Sequence, residues 1–212
     1  MEKNDLEINN LPNQLTFFRM LMIPVVVLAL YFTKYTPHSL MPIKDYLGWI
    51  ACWVFVAASI TDYFDGYFAR KYNIVTVFGS FLDPIADKFL VVSSLIMLLA
   101  LDRVHSIVVI ILVLREMYMT SLRLLALSEG INVPVSWLGK WKTGIQMVAT
   151  PMLMANEEFL WLPIPIIGTV LMYISALLSL GSALHYSFNM IQKLREKRQE
   201  KRRLKKRMQE TP

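Results

Sequence analysis

The chain has 212 residues, 55% of them hydrophobic and 18% charged, with a formal net charge of +6. Soluble domains of this size carry about a quarter charged residues, so the composition excludes an ordinary water-soluble globule and points to an integral membrane protein. The one cysteine, Cys52, lies inside an apolar run and excludes a disulfide framework.

Taken in chain order, the opening MEKNDLEINN is mixed in charge and acidic enough to argue against a cleaved targeting segment. Six apolar stretches then approach the roughly 20 residues that a bilayer core requires: 15–33, 46–66, 83–101, 105–125, 142–157 and 162–190. The fifth is short and interrupted by Pro151. Residues 193–212 hold ten Lys or Arg against three Glu, so +7 of the charge sits in this tail and the remainder nets −1. A polybasic segment directly after a membrane helix marks the cytoplasmic face, and this reading is preferred over a nucleic-acid partner. Arg70, Lys71, Arg123, Lys140 and Lys142 fall on the same side, whereas Asp102 with Arg103, and Glu157 with Glu158, fall on the other, where Lys34 and Lys44 in the short 34–45 loop are a mild exception. The expected fold is all-α, an integral membrane six-transmembrane-helix bundle with both termini cytoplasmic. It comprises one membrane domain over 1–192 and a basic tail over 193–212.

The segment DYFDGYFARKYNIVTVFGSFLDPIAD, residues 62–87, places two carboxylates at the end of the second span and two at the start of the third. Asp62 and Asp65 lie about 60° apart on a helix, and Asp83 and Asp87 one turn apart. The connection, taken as 70–82, is short enough to make the two helices antiparallel neighbours. Four carboxylates at this depth cost energy and repel one another. Either some are protonated or cations neutralise them. Two hard divalent ions, Mg²⁺ or Mn²⁺, would balance four negative charges. Gly66, Ala69 and Gly79 permit close approach of a bulky ligand, and Arg70 offers a planar fork for phosphate oxygens. Single aspartates at helix ends are usually caps, but four with this frame are not four independent caps. Ion transport is the competing reading; against it, the acids gather at one face instead of forming a chain across the bilayer.

A second group is basic. Arg115 lies mid-span next to Glu116, Arg123 follows on the same helix, and GKWKT brings Lys140 and Lys142 to the start of the fifth span. An intramembrane arginine commonly pairs with a nearby acid, and Glu116 or an aspartate would serve. Yet Arg115, Arg123, Lys140 and Lys142 together exceed structural balance and suit a substrate that is itself a phosphate monoester. Helix-terminal N–H groups near Thr143 would help to bind it.

Written out, Asp62-x2-Asp65-Gly66-x2-Ala69-Arg70-x8-Gly79-x3-Asp83-x3-Asp87 resembles the signature of the CDP-alcohol phosphotransferase family at every fixed position. The resemblance implies transfer of a phosphatidyl group from a CDP-linked lipid, CDP-diacylglycerol, to an alcohol, with release of CMP. It further implies that Asp62, Asp65, Asp83 and Asp87 ligate a two-metal centre and that Asp87 is also the general base. It assigns Gly66, Arg70, Gly79 and Thr76 to the cytidine diphosphate, together with Asn13 and Thr16 of the similar segment PNQLTFFR, where a helix N-cap is the competing reading. REMYMTSLR and GKWKT resemble the branch whose acceptor is glycerol 3-phosphate. Inositol phosphate, phosphatidylglycerol and serine stay open as acceptors. Metal-dependent prenyltransferases also bind diphosphates through aspartates, but without the Gly66, Arg70 and Gly79 frame. Family members resemble homodimers, so a homodimer in a bacterial inner membrane is the expectation.

Overall fold

In hydrocarbon every backbone N–H and C=O must be paired within its own segment, which leaves the helix as the form an apolar run adopts. The computed structural model describes the backbone of residues 11–37, 41–72, 77–131, 137–157 and 162–210, with side chains except at 11–13, 41, 42, 45, 62–72, 77–84 and 200–210. It contains six helices: α1 Leu11–Tyr35, α2 Met41–Tyr72, α3 Val77–Ala100, α4 Ser106–Ser128, α5 Trp137–Ala155 and α6 Ile164–Glu210. No strand occurs among the described residues. Each apolar stretch read from the sequence lies in one helix to within two residues at its ends, α5 running on through Pro151. The helices outrun the apolar stretches. α6 is 47 residues long and runs through the basic tail to Glu210, because Lys, Arg, Glu and Gln propagate a helix well once it has begun.

Among the described residues, two helical segments, Gln14–Tyr35 and Ile164–Gln199, are long and apolar enough to cross a membrane by length and composition. The apolar run of α4 is interrupted by Arg115, Glu116 and Arg123, and that of α5 begins with Lys140 and Lys142. Burial is inverted relative to a water-soluble protein. On α1, Thr16, Arg19 and Thr33 are buried while Phe17, Leu21, Leu28 and Phe32 are exposed. On α6, Ser175, Ser179 and Ser182 are buried while Val170, Tyr173, Leu177, Leu184 and Phe188 are exposed. Apolar side chains spaced three and four apart on an outer face suit lipid. This is a membrane protein.

The helices form two compact units. The first comprises Met1–Val109 with Gln146–Met172, and the second Ile110–Ile145 with Tyr173–Pro212. In the first, α1 packs against both α2 and α3, and Val26, Leu30, Phe55, Leu90, Leu95 and Leu98 are almost wholly buried. The end of α5 is held closely. The Arg103 guanidinium donates to the Leu153 and Met154 carbonyls at 3.1 and 2.6 Å, satisfying acceptors that a helix C-terminus leaves open. Trp49 Nε1 donates to Glu157 at 2.6 Å. Gly48 sits against the same turn, where a Cβ would meet the Met154 carbonyl oxygen at 2.8 Å.

In the second unit Met119 and Ala126 of α4 pack with Ala183, Tyr186 and Met190 of α6. α4 ends at Gly130, whose φ of 61° is the left-handed conformation that glycine adopts without strain. There Ile131 N donates to the Ala126 carbonyl at 2.8 Å. Lys197 donates to the Glu129 carbonyl, so the start of the basic tail is tied to the end of α4.

Because backbone atoms cannot move aside as a flexible side chain can, Gly48→Ala should destabilise the protein by about 1–3 kcal/mol. Thermal unfolding in detergent tests this; an unchanged midpoint would contradict the close approach of α2 to the end of α5.

Candidate active site

All four aspartates lie within helices, Asp62 and Asp65 in α2 and Asp83 and Asp87 in α3. The sequence places them at span ends beside a connection over 70–82. Instead α2 runs to Tyr72 and α3 begins at Val77, so at most residues 73–76 separate them. Arg70 and Gly79 therefore stand in helices, and Thr76 falls outside the described residues. Asp62 lies ten residues before Tyr72, and Asp87 ten after Val77. Asp65 and Asp83 lie seven before and six after the same residues. At 1.5 Å per residue, each helix carries one acid about 10 Å and one about 15 Å along its axis from the connection.

Of the four, Asp87 has a described side chain; it is half-buried, next to the fully buried Ala86, and it engages another group of the protein. The side chains of Asp62, Asp65, Gly66, Arg70, Gly79, Asp83 and Asn13 lie outside the described residues. Among described side chains, no three His, Cys, Asp or Glu group as metal ligands do. The donor chemistry fits hard divalent ions, since all four positions supply carboxylate oxygens and they match in pairs along the two helices.

Asn13 lies in the first turn of α1, after its start at Leu11. Thr16 is buried, and so is Arg19 one turn further on the same face, with no exposed surface at all. Arg19 carries no assignment from the sequence. Its signal is its spacing from Thr16, which marks the polar face of an otherwise apolar helix.

The basic group divides. Arg115 and Lys142 are buried, whereas Arg123 and Lys140 are exposed. Arg115 Nη1 and Lys142 Nζ both donate to Glu116 Oε2, each at 3.1 Å. Arg115 Nη2 donates to Ser182 Oγ of α6 at 2.8 Å, and Ser182 in turn donates to the Ser179 carbonyl at 3.0 Å. The expected pairing of Arg115 with Glu116 is thus present, and Lys142 joins it from α5. The N–H groups near Thr143 do not form a helix terminus. Thr143 is the seventh residue of α5, beyond the first-turn donors, and its hydroxyl bonds the Gly139 carbonyl at 3.1 Å. Ser182 was not legible as a partner, because a serine among apolar residues reads as helix packing.

The CDP-alcohol phosphatidyltransferase family profile matches residues 9–181, a range that includes both the aspartates and the Arg115–Lys142 group. Proteins named CDP-diacylglycerol–glycerol-3-phosphate 3-phosphatidyltransferase are similar to the chain. That of Rickettsia felis is 39% identical over 180 residues, covering 84% of this chain and 93% of its own. That of Haemophilus influenzae is 36% identical over 182 residues, covering 84% and 91%. That of Shigella flexneri is 38% identical over 183 residues, covering 84% and 92%. The chain belongs to the CDP-alcohol phosphatidyltransferase family and is a transferase.

Ser182→Ala removes one of the bonds that hold the buried guanidinium and leaves Nη2 without that acceptor. The expected loss is about 1–3 kcal/mol, read as a lower unfolding temperature in detergent; no loss would mean that the bond does not hold Arg115.

Proposed function

We propose that the protein transfers the phosphatidyl group of CDP-diacylglycerol to glycerol 3-phosphate, giving phosphatidylglycerophosphate and CMP. The observation that carries this is the shared name of relatives 36–40% identical across 84% of the chain. The pair of buried cations, Arg115 and Lys142, supports it: a phosphorylated acceptor brings the negative charge they call for.

In the reaction, an acceptor hydroxyl oxygen forms a bond to the lipid-bearing phosphorus, and the bond from that phosphorus to the CMP oxygen breaks. Asp87 takes the hydroxyl proton. Arg70, Gly66 and Gly79 hold the cytidine diphosphate, with Thr76, Asn13 and Thr16 contributing contacts, as the resemblance implies. Arg115 and Lys142 hold the acceptor phosphate, with Arg123 and Lys140 adding positive charge around it. Divalent cations, held by Asp62, Asp65, Asp83 and Asp87, would neutralise the diphosphate and the departing CMP.

The topology proposed with this chemistry has six membrane crossings, with both termini and the aspartates on the cytoplasmic side of a bacterial inner membrane. At 1.5 Å per residue the 24, 23 and 19 residues of α3, α4 and α5 reach about 36, 35 and 28 Å; α3 and α4 exceed a core of about 30 Å, and α5 falls about 2 Å short, a mismatch that local thinning of the bilayer accommodates. Residues 193–212 form a basic extension that favours anionic lipid, and the working unit is a homodimer.

Purified protein in detergent, with CDP-diacylglycerol and Mg²⁺, should release CMP with glycerol 3-phosphate and not with inositol 1-phosphate, serine or phosphatidylglycerol. Release with a different acceptor would overturn the assignment of glycerol 3-phosphate. Asp87→Asn should lower turnover about 10²- to 10⁴-fold while CDP-diacylglycerol binding persists; lost binding would remove Asp87 from the role of base.

A further inference from the structure

Glu116 occupies an unusual place. Its Oε2 accepts from two cations on different helices, Arg115 Nη1 and Lys142 Nζ, at 3.1 Å each. Adjacent residues on a helix do not face one another, so the contact with Arg115 is not a product of helical spacing. It depends on the carboxylate reaching toward a point that Lys142 shares. A single oxygen bridging a guanidinium and an ammonium is also how a phosphate oxygen sits between such groups.

The three side chains differ in freedom. Those of Arg115 and Lys142 are 7% and 5% exposed, while that of Glu116 is 29% exposed. Arg115 is held on its far side by Ser182, and the Lys142 backbone carbonyl accepts from the buried Ser175 at 3.4 Å. The cations are buried, and the more exposed carboxylate has a way out. Two buried positive charges require a nearby anion whether or not a substrate is bound, because an uncompensated buried charge is strongly destabilising. The hydrogen-bonding capacity around Arg115 is also incomplete. Among the described residues its buried Nε has no acceptor, and the buried Ser179 Oγ on α6 has no partner. Such groups accept a water or a further polar ligand.

We propose that Glu116 is an internal stand-in for the acceptor phosphate: it compensates Arg115 and Lys142 while the acceptor is absent, and the phosphate displaces it. This rests on the reading of Arg115 and Lys142 as the acceptor-phosphate ligands. Displacement makes charge the criterion of entry. A dianionic phosphate outcompetes one carboxylate for the two cations, whereas an uncharged alcohol or zwitterion cannot. Glu116 thereby sets both the affinity for the acceptor and the exclusion of unphosphorylated ones.

The test compares parent protein, Glu116→Gln, Glu116→Asp and Lys142→Met, each in detergent with CDP-diacylglycerol and Mg²⁺. With the competing carboxylate gone, Glu116→Gln should lower the KM for glycerol 3-phosphate about fivefold, equivalent to about 1 kcal/mol. Inorganic phosphate should become a tighter competitive inhibitor by a similar factor, and the KM for CDP-diacylglycerol should not change. Inorganic phosphate should also raise the unfolding temperature of Glu116→Gln more than that of the parent, a readout independent of turnover. Glu116→Asp, which keeps the charge but reaches less far, should fall between them and serves if Glu116→Gln does not fold. A KM for glycerol 3-phosphate that is unchanged or higher in these variants, while Lys142→Met raises it, would overturn the stand-in role alone. An unchanged KM in Lys142→Met would overturn the acceptor-site reading beneath it.

Discussion

Charge placed inside apolar helices has to be compensated, and much of the molecule's organisation answers to that constraint. An ionised side chain deep in a membrane helix costs about 2.5–3.5 kcal/mol on insertion scales. Here Arg115 and Lys142 share Glu116, and Arg103 is spent on the open carbonyls that end α5. Arg19 lies without exposed surface on α1, the helix that packs against both aspartate-bearing helices. Arg103, Arg115 and Lys142 each tie two segments together, because their partners lie on a different helix or at a helix end.

The same constraint explains the inverted burial. Where the surroundings are apolar, polar groups gain by turning toward one another and large hydrophobic side chains can face outward. α6 states this most plainly, with buried Ser175, Ser179 and Ser182 on one side and exposed Leu177, Leu184 and Phe188 on the other. The serines do two things at once. Their small size allows α4 and α5 to approach, and the hydroxyls of Ser182 and Ser175 hold Arg115 and the Lys142 backbone.

Much of this was legible in the sequence. Six apolar runs correspond to six helices, since a run of about 20 such residues has few other solutions. Helix ends were less legible. α2 and α3 continue past the aspartates and α6 past Gln192, because a helix does not stop where hydrophobicity does; it stops where its backbone bonds find no continuation. The aspartate spacing carried the family in full. The partner of Arg115 was legible as a neighbour in sequence, but Lys142 and Ser182 were not, since both contacts join residues far apart in the chain. Arg19 stood in plain view within PNQLTFFR, yet its complete burial emerges from packing and not from pattern.

The proposed chemistry requires that the four aspartates of α2 and α3 form one centre for two divalent ions. Counting bound Mn²⁺ by electron paramagnetic resonance, in detergent with CDP-diacylglycerol present, tests it directly. The account predicts two ions per chain, with fewer in Asp83→Asn. A stoichiometry of one or none in folded protein, or a count of two that survives Asp83→Asn, would contradict it.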